Sequence, residues 1–413
     1  MQKNESIFII RRSMLPLLVS MWLLVARDFA RVLLGHFEFT SNGWEFVRYT
    51  GFAMTAMAIT SLLFLIIHFI CRHGYRRLPQ RLKNVFLIIL LLTVFWTIHS
   101  LITVDGYSIT TLDGTAKTVF LMMLGLYVGY DEESWYTVKK YIPFLAATYI
   151  LLALYYITFV RYGSVVGNMV SQKPHWMLYS TGFWLLAYYL LCYDRKSVFL
   201  TLLLLFANLG IVAFSISRGW FLQTTVLYAI YLTSDKTLSK KRKRLLIACF
   251  LCFLAVGFYA MRNEIIDIIT SYVLKFESAT SRSSQYEVFF SQVRILDLIP
   301  GQGEYASYVY KGNDSYIYFD NSFIYYAFHF GIVFSLIMLW MPLSEGWQVL
   351  KKRKIGVPDA KIGYILFMWI AALAGASVFC AGYEISFRML FIMILIGRAA
   401  FVNAPNRSLE EIT

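Results

Sequence analysis

Apolar residues run along this chain in long blocks, separated by short polar turns, from near its start almost to its end. A run of roughly 18 or more apolar residues can cross a hydrocarbon core about 30 Å thick. Backbone polar groups inside lipid must be satisfied within their own segment, so each block predicts a helix. The period-2 alternation of a membrane barrel is absent. The blocks predict about twelve spans, at 13–35, 51–70, 85–103, 116–130, 141–160, 176–193, 198–214, 219–233, 245–261, 321–343, 362–380 and 383–402. The expected fold class is therefore all-α, a polytopic transmembrane helix bundle. Its parts are a first set of spans over 1–261, a large loop over 262–320, and a last set of spans with a tail over 321–413.

The polar interruptions orient the array. Arg72, Arg76, Arg77, Arg81 and Lys83 crowd one turn, and Lys236, Lys240, Lys241, Arg242, Lys243 and Arg244 a second. Lys351, Lys352, Arg353, Lys354 and Lys361 mark a third, and Arg195 with Lys196 a fourth. Simple alternation of the spans puts all four on one side, which the positive-inside rule makes cytoplasmic, with both termini. The first apolar run lacks a small-residue cleavage site and belongs to the array rather than to a signal peptide.

Composition agrees: 59% of residues are hydrophobic and only 15% charged, with a mean hydropathy of +0.60. A net charge of +14 would suggest nucleic acid in a soluble protein. Here the cations sit in short turns between spans, so no nucleic-acid partner is expected. Of the five cysteines, Cys249 and Cys252 form a C-x-x-C inside an apolar block, where small-residue packing is the default. No zinc spacing occurs, and no P-loop or nucleotide fingerprint, so an ATP-driven transporter subunit is not expected.

The opposite side carries the long loop. Segments 263–275 and 284–299 read as amphipathic helices, the second stopped by Pro300, with a turn at Gly301 and Gly303. A structureless loop of this length would be unusual, and long loops tend to be functional.

Candidate chemistry gathers on the same side. Ser217-Arg218-Gly219 joins two spans, where the planar guanidinium can present two donors to a phosphate. The bland alternative is an Arg snorkelling to headgroups. Arg282 and Arg294 lie in the loop, followed by Tyr305, Tyr308, Tyr310, Tyr316 and Tyr318. Tyr rings there suit either sugar stacking or an interfacial belt. Asp320, just before Asn321, could take a proton from a hydroxyl or cap the helix that begins there. Arg27, Asp28 and Arg31 interrupt the first span, and Glu384 with Arg388 reads as an i,i+4 pair. The histidines, His68 and His329 among them, show no clustering.

With those motifs in order, the chain resembles the bacterial O-antigen polymerase and O-antigen ligase superfamily, the Wzy and WaaL proteins. Ser217-Arg218-Gly219 is similar to the family's SR-small element, and Arg282 with Tyr286 to its R-x-x-x-aromatic element. Pro300-Gly301-Gln302-Gly303 resembles a shortened P-x-x-G-x-G turn, and Asp320-Asn321 with the later Gly331 resembles the H-N or D-N element. The resemblance implies a GT-C-like membrane glycosyltransferase of the bacterial inner membrane. Its active site would be periplasmic, and it would join undecaprenyl-pyrophosphate-linked oligosaccharides in lipopolysaccharide biosynthesis.

On the same basis Arg218 and Arg282 would hold the donor diphosphate, with Asp320 as base or acceptor anchor. Arg294, Ser217, Gly303, Tyr305 and Asn321 would be substrate contacts, with no metal and no cofactor. Partners would be the lipid-linked donor and acceptor, the bilayer and a chain-length regulator. Ligases of the family usually carry His where this chain has Asp320, which favours the polymerase. The alternatives are an O-antigen ligase acting on lipid A-core and, from another class, a lipid-linked-oligosaccharide flippase. The absence of an obvious internal repeat weakens the transporter reading.

Overall fold

A computed structural model of the chain describes residues 12–37, 44–103, 121–160, 173–194, 196–215, 218–234, 244, 247–248, 280–303, 306–316, 319, 321–355, 357–375 and 386–404. Helix dominates. The helices are α1 (Leu15–Phe37), α2 (Trp44–Cys71), α3 (Gly74–Arg77), α4 (Gln80–Thr103), α5 (Leu124–Tyr130), α6 (Glu132–Tyr155), α7 (Lys173–Cys192), α8 (Val198–Ser215), α9 (Arg218–Ser234), α10 (Thr280–Gln292), α11 (Ser322–Phe330), α12 (Ile332–Lys351), α13 (Ile362–Gly375) and α14 (Phe387–Asn403). The stretches Ala53–Cys71, Gln80–His99, Glu132–Thr158 and Ile332–Lys351 are each long and apolar enough to cross a membrane. Leu178–Cys192 and Val198–Phe214 are shorter apolar helices. The expected helix at 263–275 lies outside the described residues.

Three expectations need correction. The all-α reading misses a small antiparallel hairpin, β1 (Tyr308–Tyr310) with β2 (Asn313–Tyr316). Lys311 (φ 51°) and Gly312 (φ 75°) form its two-residue turn, the conformation that matches strand twist. The expected helix at 284–299 begins earlier, at Thr280, and stops at Gln292. There Asp297 accepts from the backbone N–H of Arg294 (3.2 Å) and starts a separate 3-10 turn, Ile295–Leu298. The expected span at 321–343 is two helices, α11 and α12, broken at Gly331.

The chain divides into two compact units, Met1–Ile142 with Gly382–Thr413, and Pro143–Ala381. In the first, α5 and α14 cross with backbones almost touching. A Cβ on Gly129 would lie 1.9 Å from the Ile394 carbonyl oxygen, and one on Gly397 2.0 Å from that of Leu126. Gly125 and Gly129 form a G-x-x-x-G, the small-residue spacing by which membrane helices approach closely. Arg398 of α14 is buried with its guanidinium over the Phe401 ring, 4.3 Å from the centroid. Arg27, Asp28 and Arg388 are buried as well. The side chain of Arg31, and Glu384, lie outside the described residues.

One end of this unit is fixed by charge. Asp131 accepts from Arg77 (2.7 Å), Arg72 (3.1 Å) and the hydroxyl of Ser134 (2.6 Å). It also accepts the backbone N–H of Ser134, capping α6, whose first turn carries Glu132 and Glu133. Arg72 reaches Glu133 too, at 2.9 Å. Burial works against the Asp131 charge, but Ser134, Arg72 and Arg77 together hold its carboxyl below the usual range. His68 joins the cluster, with Nε2 2.9 Å from the Ser134 hydroxyl and Nδ1 3.2 Å from the Ser13 carbonyl. The start of α1 and the end of α2 thus meet the α5–α6 turn.

In the second unit α7, α8 and α9 share a buried polar network. The Tyr179 hydroxyl lies 3.2 Å from that of Thr224, and the Asn208 amide donates to Thr224 (3.2 Å) and Tyr228 (2.9 Å). Near the other end of α7, Tyr188 donates to Asp359, just ahead of α13 (3.2 Å). At the end of α9, Lys196 lies over the Tyr231 ring. Helix α12 meets α13 where a Cβ on Gly363 would fall 2.4 Å from the Gly346 carbonyl oxygen.

Candidate functional site

Four of the residues singled out in the sequence, Arg282, Arg294, Gly303 and Asn321, fall on one body within the second unit, built from α10, the hairpin and α11. Its centre is Phe289, fully buried on α10. Its ring meets Tyr308 (5.2 Å between centroids), Phe319 (4.4 Å) and Phe328 of α11 (5.1 Å), each nearly edge-on. Edge-to-face pairs of this kind contribute about 0.5–1.5 kcal/mol each beyond their buried area. Gln285 donates to the Tyr308 hydroxyl at 2.7 Å. Gln292 accepts from the Val309 N–H (2.9 Å) and donates to the Val309 carbonyl (3.0 Å), which sews the end of α10 to β1. Tyr308 and Tyr310 are buried in this core. They are therefore neither a sugar platform nor an interfacial belt, the two roles expected for them.

The Pro300–Gly303 turn straps this body onto the helix break. The Gln302 N–H donates to the Phe328 carbonyl (2.6 Å), the Gly303 N–H to that of His329 (3.1 Å), and the Ile332 N–H to that of Ile299 (3.2 Å). In return His329 Nδ1, the only possible donor of the pair, donates to the Gly303 carbonyl at 2.9 Å. Carbonyls that a break would leave orphaned are thus satisfied by the loop, as buried backbone requires. Both strands of the strap need glycine. Gly331 has φ 87° and ψ 160°, and a Cβ there would lie 2.8 Å from the Ile299 and Pro300 oxygens. A Cβ on Gly301 (φ 77°) would lie 2.5 Å from the Gly331 nitrogen.

Asn321 caps α11, its side-chain oxygen accepting from the N–H groups of Phe323 (2.9 Å) and Ile324 (3.3 Å). The capping role considered for Asp320 is filled by its neighbour. Arg282 is the third residue of α10, and Arg218 the first of α9. Two residues beyond Arg218, the buried Trp220 packs on Tyr179 with centroids 4.0 Å apart, which fixes the first turn of α9. Ser217, Tyr305 and Asp320 lie outside the described residues, as do the side chains of Arg218 and Arg282.

Arg294 sits beyond the far end of α10 from Arg282, the helix between them rising about 15 Å. Its exposed guanidinium holds Asp297 through two bonds, at 3.0 and 3.1 Å. That bonding keeps the Asp297 carboxyl below the usual range. Gly303 and the Asn321-capped helix are thus joined by the strap, and the α10 that carries Arg282 by the Phe289 core.

Sequence reasoning missed His329, set aside because the histidines do not cluster along the chain. The signal was a Gly inside an apolar run, ten residues past an Asn cap and preceded by an aromatic-His-aromatic triplet. Among the described residues no three His, Cys, Asp or Glu side chains come together in a way that could hold a metal ion. No protein-family model matches the chain, and no curated protein and no solved structure does.

Proposed function

We propose that this protein is a membrane glycosyltransferase that polymerises O-antigen repeat units carried on undecaprenyl pyrophosphate. The observation that supports it most is the strap. The R-x-x-x-aromatic helix, the shortened P-x-x-G-x-G turn and the D-N cap resemble family elements far apart in sequence, and here the loop elements dock on a broken helix. Irregular backbone at membrane depth is tolerated where it is buried in protein or lines a cavity.

In this reading the array has about twelve spans, with both termini cytoplasmic and the strap at the periplasmic face of the inner membrane. Alternation is supported inside each unit. The Arg72–Asp131 cluster joins the start of α1 to the end of α2, and Tyr188 and Lys196 gather the ends of α7 and α9 near the starts of α13 and α8.

The acceptor hydroxyl attacks the anomeric carbon of the donor. A C–O glycosidic bond forms with inversion, the bond to the pyrophosphate oxygen breaks, and the hydroxyl proton passes to Asp320. Arg218 and Arg282 offset the charge on the departing diphosphate, where fixed donors act most strongly. A carboxylate is a weaker base than a tuned imidazole. That makes Asp320 better suited to orienting the hydroxyl than to removing its proton early. Arg294, already bonded to Asp297, is an auxiliary contact.

The test is Arg218→Ala and Arg282→Ala in a strain that makes long-chain polysaccharide. Each should reduce chain extension about 10²–10³-fold at equal expression, leaving single repeats. Unchanged ladders would remove those roles. Polymer that accumulates on its carrier without reaching lipid A-core when the protein is deleted would point to the ligase instead.

A further inference from the structure

The 3-10 turn that follows α10 is unusual for a loop. Ile295 is 73% exposed, Leu296 71% and Ile299 54%, with no apolar neighbour covering them among the described residues. Within the turn itself the one ionisable side chain is Asp297, which is tied to Arg294 by two side-chain bonds and a backbone bond. The pair presents little net charge. Exposed apolar groups in a contiguous patch mark a binding surface, and this patch does not end at the turn.

The Ile299 carbonyl accepts from the N–H of Ile332, the first residue of α12. Helix α12 is long and apolar enough to cross a membrane. It exposes Ile332, Val333, Leu336, Trp340, Leu343 and Trp347, at the three- and four-residue spacing of one helix face. Continuity with that face decides the occupant: the backbone of Ile299 is bonded to that of Ile332, whose exposed side chain opens the apolar face of α12.

We propose that the Ile295–Ile299 turn is a lipid wedge, inserted among the acyl chains of the outer leaflet beside α12. The wedge extends the membrane-facing surface of the protein onto its large loop. It anchors the strap from the lipid side, so that the Pro300–Gly303 turn is held both by the helix break and by the bilayer. The proposal rests on α12 crossing the membrane, and it is independent of the chemistry proposed above.

Nitroxide labels test it in the full-length protein reconstituted into phosphatidylglycerol–phosphatidylethanolamine bilayers. Leu296→Cys, Leu336→Cys and Asn313→Cys are labelled, and the signal of identically treated unsubstituted protein is subtracted. Oxygen concentrates in lipid and a nickel chelate in water, so power saturation with each reads the surroundings of the label. The wedge predicts that labels at 296 and 336 relax more with oxygen than with nickel, and the label on the exposed hairpin at 313 the reverse. A label at 296 that answers to nickel, while 336 answers to oxygen, would put the turn in water and overturn the wedge. Protection from both reagents at 296 would mean that protein covers the patch, and would overturn it equally. A nickel response at 336 would remove α12 from lipid and the wedge with it.

Discussion

The Ser335 hydroxyl donates to the Phe323 carbonyl at 2.9 Å, twelve residues back along the chain. In one continuous helix those residues would stand about 18 Å apart. The bond therefore requires α11 to fold back against α12 at Gly331. Phe334 supports the fold-back, its ring 5.3 Å from that of Tyr326 and 5.5 Å from that of Phe330.

Gly331→Ala tests the break. Its backbone lies where L residues are strained by about 1–3 kcal/mol, and the added Cβ has two oxygens in its way. The unfolding midpoint in detergent should fall, and chain extension with it. Gly312→Ala is the control, because its φ is also positive but nothing lies within 4 Å. It should cost about 1–2 kcal/mol and leave extension intact. Equal effects at the two positions would show that the strap imposes no steric demand.

Asn321→Ala should lower stability by about 1 kcal/mol through loss of the cap, and Asn321→Asp should restore most of it. If the cap also sets the position of Asp320, activity should follow the same order. Full activity in the Ala variant would separate Asp320 from the cap.

Asp131 predicts an acid limit. Its folded-state carboxyl titrates below its ordinary value of 3.8. Its contribution is therefore fully present above that value and lost as pH falls through the depressed one. Asp131→Asn leaves Arg72 with Glu133 and Arg77 half-exposed, so the loss of the charged hydrogen bonds should cost about 1.5–3 kcal/mol at neutral pH. Melting temperatures measured from pH 7 down to the acid limit should show the wild type losing this increment and the variant having none to lose.

The helical character was legible because long apolar runs follow a simple rule, that each predicts a helix, and four of the helices are long and apolar enough to cross a membrane. The same rule hid the break. Phe323 to Leu339 reads as one apolar run, and a Gly inside a helix costs only about 1 kcal/mol, so Gly331 gave little local warning. What breaks the helix is a turn some thirty residues upstream, whose N–H groups take the carbonyls of Phe328 and His329. Asp131 was silent for a similar reason, its partners Arg72 and Arg77 lying 59 and 54 residues away. The turn at 311–312 could have been read, since Gly312 followed by Asn313 and Asp314 between Tyr-rich segments is a turn signal. The loop tyrosines were ambiguous in sequence because a ring that stacks on sugar and a ring that fills a core have the same composition.

The most direct measurement is reconstitution. Purified protein in detergent is incubated with undecaprenyl-pyrophosphate-linked repeat units, with no nucleotide and no metal added, and the products are separated by size. A polymerase predicts a ladder of oligomers on the carrier and stoichiometric release of undecaprenyl pyrophosphate. Donor recovered intact from protein that is shown to be folded would contradict it, and transfer that appears only when lipid A-core is supplied would make the protein a ligase.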